Sequence, residues 1–311
     1  MDLLTDVLSN LWLRGEMYFR TEFAGTWAVE IPADRHSIRF HLVVQGDCWV
    51  TVDGAGEPLH LKEGDFVLVP HGASQTLASS PDSSAVPLDE LLRSGALGDD
   101  QVVRYGRIES ARQTRLVCGF CRFDEGVNHP LFFGLPAILV MGRNFTGTSP
   151  WLAEAVRVIA MEAELDAIGG SAVISRLMEV LFIQGIRHQF SSGANPGIPY
   201  LAAITDNRLQ VAIEAMHRNP EKEWTLTNLA QLSGMSRGRF SKRFKETIGQ
   251  SPMTYLTNWR LQKARRMLKQ TNLSIAEIGY NSGYRSLPSF TRRFGKQFGI
   301  SPGAFRKLPQ D

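Results

Sequence analysis

The last third of the chain writes one pattern twice, and that repetition limits the folds available to it. The stretch LTNLAQLSGMSRGRFSKRFKETIGQSPMTY at 226–255 is echoed by IAEIGYNSGYRSLPSFTRRFGKQFGISPGAF at 275–305. Ser233-Gly234 matches Ser282-Gly283. Phe240, Phe244, Gly249, Ser251 and Pro252 match Phe290, Phe294, Gly299, Ser301 and Pro302. An internal repeat takes precedence over any other sequence signal. Each copy reads as helix, tight turn, helix, with a basic second helix, so the pair suggests a protein that grips DNA twice. A plain helical bundle with a solvated charged face would account for one copy. It does not account for the shared turn glycine, aromatic pair and Ser-Pro of both.

Local chemistry supports each unit. In the first, over about 226–248, Leu226, Leu229, Ala230 and Leu232 give a short helix its apolar face. Gly234 stands where a left-handed turn residue is needed, and Ser236 stands where the next helix needs an N-cap. Phe240 and Phe244, four apart, share one face of that helix. Arg237, Arg239, Lys242, Arg243 and Lys245 surround it. The second unit, over about 275–298, opens with Ser274-Ile275-Ala276-Glu277, a capping box. Ser286 caps its second helix, Phe290 and Phe294 form the inner stripe, and Arg292, Arg293 and Lys296 supply the charge. Between the copies, residues 252–270 predict one amphipathic helix. Met253, Leu256, Leu261, Ala264 and Leu268 are expected mostly inward, and Arg260, Arg265 and Arg266 mostly outward.

Charge is unevenly divided. The whole chain carries 34 Lys and Arg against 31 Asp and Glu, a balance of only +3. Residues 200–311 hold 19 basic against 7 acidic residues, a balance of +12, and residues 1–199 hold 15 against 24, a balance of −9. A basic domain is therefore joined to an acidic one, which points to polyanion binding by the C-terminal part. Phosphate contacts made by such a domain release counterions, so its affinity should fall steeply with salt.

The 311 residues suffice for two domains. No apolar run reaches the 18 or more residues of a membrane span, and the first residues, Met1-Asp2-Leu3-Leu4-Thr5-Asp6, lack the basic and apolar regions of a secretory signal. Three cysteines are too few, and odd in number, for a disulfide framework. A cytoplasmic protein is expected. Before the repeat, Ile38–Val52 alternates into strands around Gln45-Gly46-Asp47, with a further turn at Asp53-Gly54. Leu59–Leu61, Phe66–Val69 and Thr114–Phe123 add strands, and residues 79–100 read as a loop with one or two helical turns at Leu88–Leu92. Such strands and turns predict a small sandwich or barrel. After Pro150 two helical stripes follow, Leu152, Ala155, Val156, Ile159 and then Ile174, Leu177, Met178, Leu181, Phe182. Residues 191–199, SSGANPGIP, read as a linker.

On these residues the chain resembles a known family over nearly its whole length. Residues 200–311 resemble the DNA-binding domain of AraC/XylS-type transcription regulators. The likeness rests on the two helix-turn-helix units, Gly283-Tyr284, Phe290-x-x-x-Phe294-x-x-x-Phe298-Gly299 and Ser301-Pro302-x-x-Phe305-Arg306. Residues 1–190 resemble the cupin-type sensor domain of one branch of that family. The matching segments are Phe40-His41-Leu42-Val43-Val44-Gln45-Gly46, the run from Gly64 to Gly72, Leu116-Val117-Cys118-Gly119 and His129-Pro130-Leu131. The resemblance implies an α+β two-domain protein. A cupin-like β-barrel with helices would occupy 1–190, a linker 191–199, and an all-α domain with two helix-turn-helix units joined by a long helix 200–311. It further implies a bacterial regulator, expected to be an activator, that reads promoter DNA, responds to a small-molecule effector, dimerises, and as an activator would meet RNA polymerase.

A cupin domain raises the question of a metal-dependent enzyme with an accessory DNA-binding domain. Cupin enzymes hold a metal through several His and a carboxylate. Here Gln75 stands where the second motif would place a His, and Arg39 and Arg35 stand at ligand positions of the first. A guanidinium is a poor neighbour for a metal. His36, His41, His60, His71 and His129 remain. The reading is therefore a sensor, with no catalytic residues, no metal and no cofactor. Cys118-x-x-Cys121 lies in a predicted strand, where residues three apart face opposite ways, so the two thiols should diverge. Cys48 is the residue expected to approach one of them.

Helix geometry then selects the DNA-facing residues. The second helix of each unit enters a major groove and its outer residues meet base edges. With the Phe pairs inward, Arg237, Gly238, Ser241 and Lys242 face out in the first unit, and Arg239 and Lys245 reach phosphate or groove edge. In the second unit Ser289 and Arg292 face out, flanked by Thr291 and Arg293, with Leu287 beside them. Arg292 is the candidate for a bidentate guanine contact. Two differently lined helices argue against a purely architectural binder, which needs only phosphates.

Overall fold

In the computed structural model the N-terminal strands are of two kinds, one alternating between buried and half-buried residues over 47–52 and others, such as 66–69, buried throughout; Phe123 of the expected strand lies outside the described residues. The structure describes residues 2–10, 14–34, 36–106, 113–122, 129–141, 150–165, 168–191 and 198–308. Arg35 and residues 192–197 of the expected linker lie outside the described residues, as does the side chain of Leu152. By Cα proximity the chain forms two compact units. One comprises residues 13–123 and 135–192. The other comprises residues 1–12, 124–134 and 193–311.

The first unit is the sheet-rich one. A six-stranded sheet runs in the order β11 (Leu139–Met141), β6 (Phe66–Val69), β3 (Ser37–Gln45), β10 (Gln113–Arg122), β1 (Arg14–Ala24), β9 (Val102–Tyr105). A five-stranded sheet runs β5 (Leu59–Lys62), β4 (Asp47–Val52), β7 (Gln75–Ala78), β2 (Ala28–Ile31), β8 (Val86–Pro87). The inner faces of both sheets feed one buried cluster that includes Phe19, Phe23, Val43 and Leu116 from the first, and Val29, Val50, Leu61 and Leu77 from the second. Among the described residues the strands thus pair as two facing sheets and not as one closed ring, the two-sheet form of the expected barrel. Gly46 joins β3 to β4 at φ +79°, and a Cβ there would collide with the Gln113 carbonyl oxygen. Only glycine meets both demands. The expected loop at 79–100 contains β8 and a helix, α2 (Leu88–Arg93), held by buried Leu88 and Leu91. Helices α4 (Pro150–Leu165) and α5 (Gly170–Ser191) pack on each other and on the six-stranded sheet, and Ala155, Val156, Ile159, Ile174, Met178, Leu181 and Phe182 are buried.

The second unit is helical. It gathers α1 (Leu3–Asn10), α3 (Pro130–Phe133), α6 (Pro199–Thr205), α7 (Asn207–Arg218), α8 (Leu226–Leu232), α9 (Arg237–Ile248), α10 (Pro252–Gln270), α11 (Ile275–Asn281), α12 (Leu287–Phe298) and α13 (Pro302–Lys307). Pro199, the last residue of the expected linker, is the first turn of α6. The long helix α10 carries the core between the two repeats. Tyr255, Leu256 and Trp259 serve one side, and Leu261, Ala264 and Leu268 serve the other. Of its arginines expected outward, Arg266 is exposed, whereas Arg265 and Arg260 depart from expectation. Arg265 is buried, with its guanidinium over the rings of Phe298 and Phe305 at 5.7 and 5.9 Å. Arg260 is half-buried and donates to the carbonyls of Pro220 and Lys222 at 2.6 and 2.8 Å. Met253, expected inward, is 37% exposed. A guanidinium is inexpensive to cover when aromatic faces and backbone carbonyls take its donors.

A buried polar cluster ties α1 and α7 to α10. His217 stacks on Trp259 with ring centroids 3.6 Å apart. Its Nδ1 lies 3.0 Å from Asp6 Oδ2 and its Nε2 lies 2.7 Å from the Tyr255 hydroxyl. With Asp6 ionised, Nδ1–H donates to the carboxylate and Nε2 accepts from the tyrosine. The ring is neutral in this arrangement, in keeping with a pKa that burial lowers despite Asp6.

Candidate nucleic-acid interface

The two repeats fold alike in their turn bonds, second-helix caps and helix stops. In the first, Thr225 caps α8 by accepting from Asn228 N, and Met235 N returns to Ala230 O at 3.0 Å through the turn. In the second, Ser274 and Glu277 complete the capping box at α11, and Tyr284 N returns to Gly279 O at 3.0 Å. Ser236 accepts from Arg239 N at the start of α9, and Ser286 accepts from Ser289 N at the start of α12. Pro288 falls in the first turn of α12, where its missing N–H costs nothing. Both helices stop on a left-handed glycine, Gly249 and Gly299. Phe240 and Phe244 are fully buried with centroids 5.7 Å apart, and so are Phe290 and Phe294 at 5.7 Å.

That inner stripe fixes what faces out. On α9, Arg237, Gly238, Arg239, Lys242 and Lys245 are exposed and Ser241 is half-buried. On α12, Ser289, Arg292 and Arg293 are exposed and Thr291 is half-buried, with Leu287 39% exposed beside them. Gly238 is not dictated by packing, since a Cβ there meets nothing within 4 Å. Its flat surface leaves room for close approach of a ligand to the backbone of α9.

The cations of α9 and α12 are not equivalent. Among the described residues the side chains of Arg237, Arg239, Lys245, Arg292 and Lys296 make no ion pair or hydrogen bond within the chain. Lys242 meets Glu246 only at 3.9 Å, with both side chains exposed, a pairing worth a few tenths of a kcal/mol, ~0.5 at most. Arg243 is committed. It pairs with Asp206 at 2.5 Å, and Asp206 also caps α7 by accepting from Arg208 N and Leu209 N. Burial pushes the Asp206 carboxyl up, but Arg243 and those amides outweigh it and hold it below the ordinary value. In the sequence Arg243 looks like the other basic residues of the helix because its acidic partner lies 37 positions away.

The histidines of the cupin-type segment do not converge. His60 pairs with Asp47 at 2.7 Å, and His71 Nε2 donates to Leu135 O at 2.8 Å. His129 caps α3 in the helical unit. His41 Nδ1 lies 3.0 Å from Cys118 Sγ on the paired strand, and burial pushes its pKa down to about 4. Among the described residues no group of three or more His, Cys, Asp or Glu is placed to hold a metal. Cys48 and Cys118 share the sheet-rich core while Cys121, equally buried, lies outside that cluster. Burial raises the Cys48 thiol to about 12 and the Cys118 thiol as well, which keeps both protonated and poorly reactive.

Comparison with known proteins agrees with this geometry. A family model described as Cupin matches residues 2–191, and one described as a helix-turn-helix domain matches residues 229–308. The chain is 30% identical over 309 residues to a putative AraC-like transcription regulator of Streptomyces lividans, covering 99% of both chains. It is equally similar, at 30% over 309 residues and 99% of both chains, to an HTH-type transcriptional regulator of Haemophilus influenzae. Among solved structures, the DNA-binding domain of AdpA in complex with a target DNA is 30% identical, over 32% of this chain and 88% of that one, with a TM-score of 0.30. The tandem repeat, the cupin-type sheets and these full-length relatives lead to one conclusion: the chain belongs to the AraC family of transcription regulators, with a cupin domain followed by a DNA-binding helix-turn-helix domain.

Proposed function

We propose that the protein is an effector-responsive transcription activator that reads two successive major grooves of a promoter with α9 and α12, and that it is not an enzyme. The observation that carries this reading is the pair of like-capped frames, joined by α10, whose helices α9 and α12 present exposed and differently lined outer faces. Arg237, Gly238, Ser241 and Lys242 would meet base edges from α9, with Arg239 and Lys245 at phosphate or groove edge. Ser289 and Arg292 would do so from α12, flanked by Thr291 and Arg293. Arg292 suits a bidentate contact to guanine because no partner among the described residues competes for its fork. Functionally, residues 1–190 would sense, 191–199 would link, and 200–311 would bind DNA.

A homodimer fits the helical pair α4 and α5. Met161 and Leu165 on α4, Ile168 in the turn before α5, and Val173 and Val180 on α5 are exposed apolar side chains that a second copy would cover. As an activator the protein would also contact RNA polymerase. No helix among the described residues is long and apolar enough to cross a membrane, and a cytoplasmic location suits a promoter-binding protein. The test is transcription in vitro from a bound promoter, with footprinting against excess bulk DNA. The reading expects a protected site that survives the competitor and a rise in transcript. Protection lost to bulk DNA at the same rate as free protein would end it.

A further inference from the structure

A helix that joins two reading units sets their separation, but their relative angle is fixed only if neither unit can turn on it. On α10 the residues that serve the first repeat, Tyr255, Leu256 and Trp259, are followed at once by those that serve the second, Leu261, Ala264 and Leu268. Arg260 lies between the two sets and is half-buried. Its Nε donates to the Pro220 carbonyl at 2.6 Å and its Nη2 to the Lys222 carbonyl at 2.8 Å. Both carbonyls belong to the segment that leads into the first repeat, just ahead of the Thr225 cap of α8. That segment is braced within itself. Lys222 N donates to Asn219 O, Trp224 N to Lys222 O, and Trp224 Nε1 to Asn219 O at 2.9 Å, while the Lys222 ammonium lies 4.4 Å from the centre of the Trp224 ring.

The turn of the second repeat packs on the same guanidinium. Gly283 comes so close that a Cβ on it would lie 2.7 Å from Arg260 Cζ and 2.7 Å from the Pro220 oxygen. The matching glycine of the first repeat, Gly234, would meet nothing within 4 Å, so this closeness is not a demand of the turn itself. Beside it Arg285, next to the Ser286 cap of α12, pairs with Glu223 of the lead-in segment. Both of those side chains are exposed, and such a pair adds little. The half-buried Arg260, whose donors two carbonyls take in a fixed fork, is the stiffer link. The repeats therefore meet each other directly as well as through the core of α10.

We propose that Arg260 is a positioning residue for DNA reading: it locks the lead-in of the first repeat to the turn of the second, holds α9 and α12 at one angle, and so makes the protein selective for the distance between its two half-sites. An added base pair moves the second half-site by ~3.4 Å along the duplex and turns it by ~35°. A locked frame cannot follow that change, whereas two units free to turn on α10 follow part of it. When geometry forbids both units to engage at once, the gain from joining them is lost. Selectivity for distance rests on the two-groove reading above; the lock between the repeats does not.

Two measurements on the full chain test this. Spin labels on Glu246→Cys of α9 and Lys296→Cys of α12, both exposed positions, report the distance between the helices without DNA, since the three native thiols are buried. The distance distribution should be narrow with Arg260 in place and broad or two-peaked in Arg260→Ala. Retardation is then compared on a footprinted operator, on operators with one base pair added or removed between its two halves, and on each half alone. The unsubstituted chain should lose about tenfold or more on either altered spacing, and Arg260→Ala about threefold or less, with each half bound as before. A distribution as narrow in Arg260→Ala would overturn the lock. An unchanged spacing penalty would overturn its part in reading, and equal weakening on halves and whole alike would reduce Arg260 to a residue that merely stabilises the fold. Should Arg260→Ala fail to fold, Arg260→Lys decides, since its single ammonium replaces the fork: smaller changes in the same directions are expected, and none would overturn the proposal. An operator whose halves are insensitive to spacing in the unsubstituted chain removes the two-groove reading, and the label distances then judge the lock alone.

Discussion

The two helix-turn-helix units share one frame and differ in nearly everything mounted on it. Caps, turn bonds, left-handed stops and the 5.7 Å spacing of the Phe pair repeat from one to the other. The first unit spends one arginine, Arg243, on Asp206 and keeps an open turn at Gly234. The second packs its turn glycine, Gly283, against Arg260 and Pro220 and surrounds Phe294 with Phe298 and Phe305. Frame and lining are separable: apolar packing is duplicated, while the residues that would distinguish one base sequence from another are not.

The shared frame can be broken first. Phe244→Ala and Phe294→Ala each remove a fully buried ring, and each should cost about 3–5 kcal/mol in urea unfolding. A cost below ~1 kcal/mol at one site would show that the frames are not equivalent. The linings should then part company. Arg292→Ala should lose about 1–3 kcal/mol of binding and relax preference at one base pair. Equal weakening on every sequence would demote Arg292 to a phosphate contact. The turns differ more subtly. Gly234→Ala should cost ~1–2 kcal/mol for its positive φ alone. Gly283→Ala should cost more, because its Cβ also meets the Arg260 guanidinium and the Pro220 carbonyl. Equal melting temperatures would contradict that ordering.

The smallest expected effect concerns charge. Arg237→Ala should reduce the salt slope of DNA binding by about 1, whereas Arg243→Ala should leave it unchanged. The Asp206 carboxyl sits below its ordinary value of 3.8 in the folded chain. Its contribution to stability is therefore present above that pH and lost as pH falls through the lowered value. Arg243→Ala should remove most of that acid sensitivity. Acid unfolding profiles that superimpose for wild type and variant would show that the pair does not matter.

Much of this was legible in the sequence because it is local. A capping serine, a turn glycine and a Phe pair at i,i+4 each act within a few residues, and the strands at 37–52 alternate in the open. Distance hides the remainder. Strand β1 carries Phe19, Thr21 and Phe23 inward, but its charged outer face breaks the apolar pattern, and its pairing with β10 and β9 makes it a strand. Arg265 reads as a surface residue on α10 until Phe298 and Phe305 arrive from the second repeat to cover it. The contact between His217 and Asp6 spans 211 positions, beyond any spacing rule. The exposure of the candidate DNA-facing residues follows from the helical period, whereas the pairing of Arg243, another basic residue of α9, does not.

One measurement bears most directly on the claim that both lined helices read DNA. Every base pair of a footprinted operator is substituted in turn, and binding of the full chain is compared with that of Arg239→Ala and Arg292→Ala. Two clusters of sensitive positions about one helical turn apart, ~10–10.5 base pairs, are expected, with Arg292→Ala flattening only one of them. A single cluster, or a flat profile along the whole site, would contradict it.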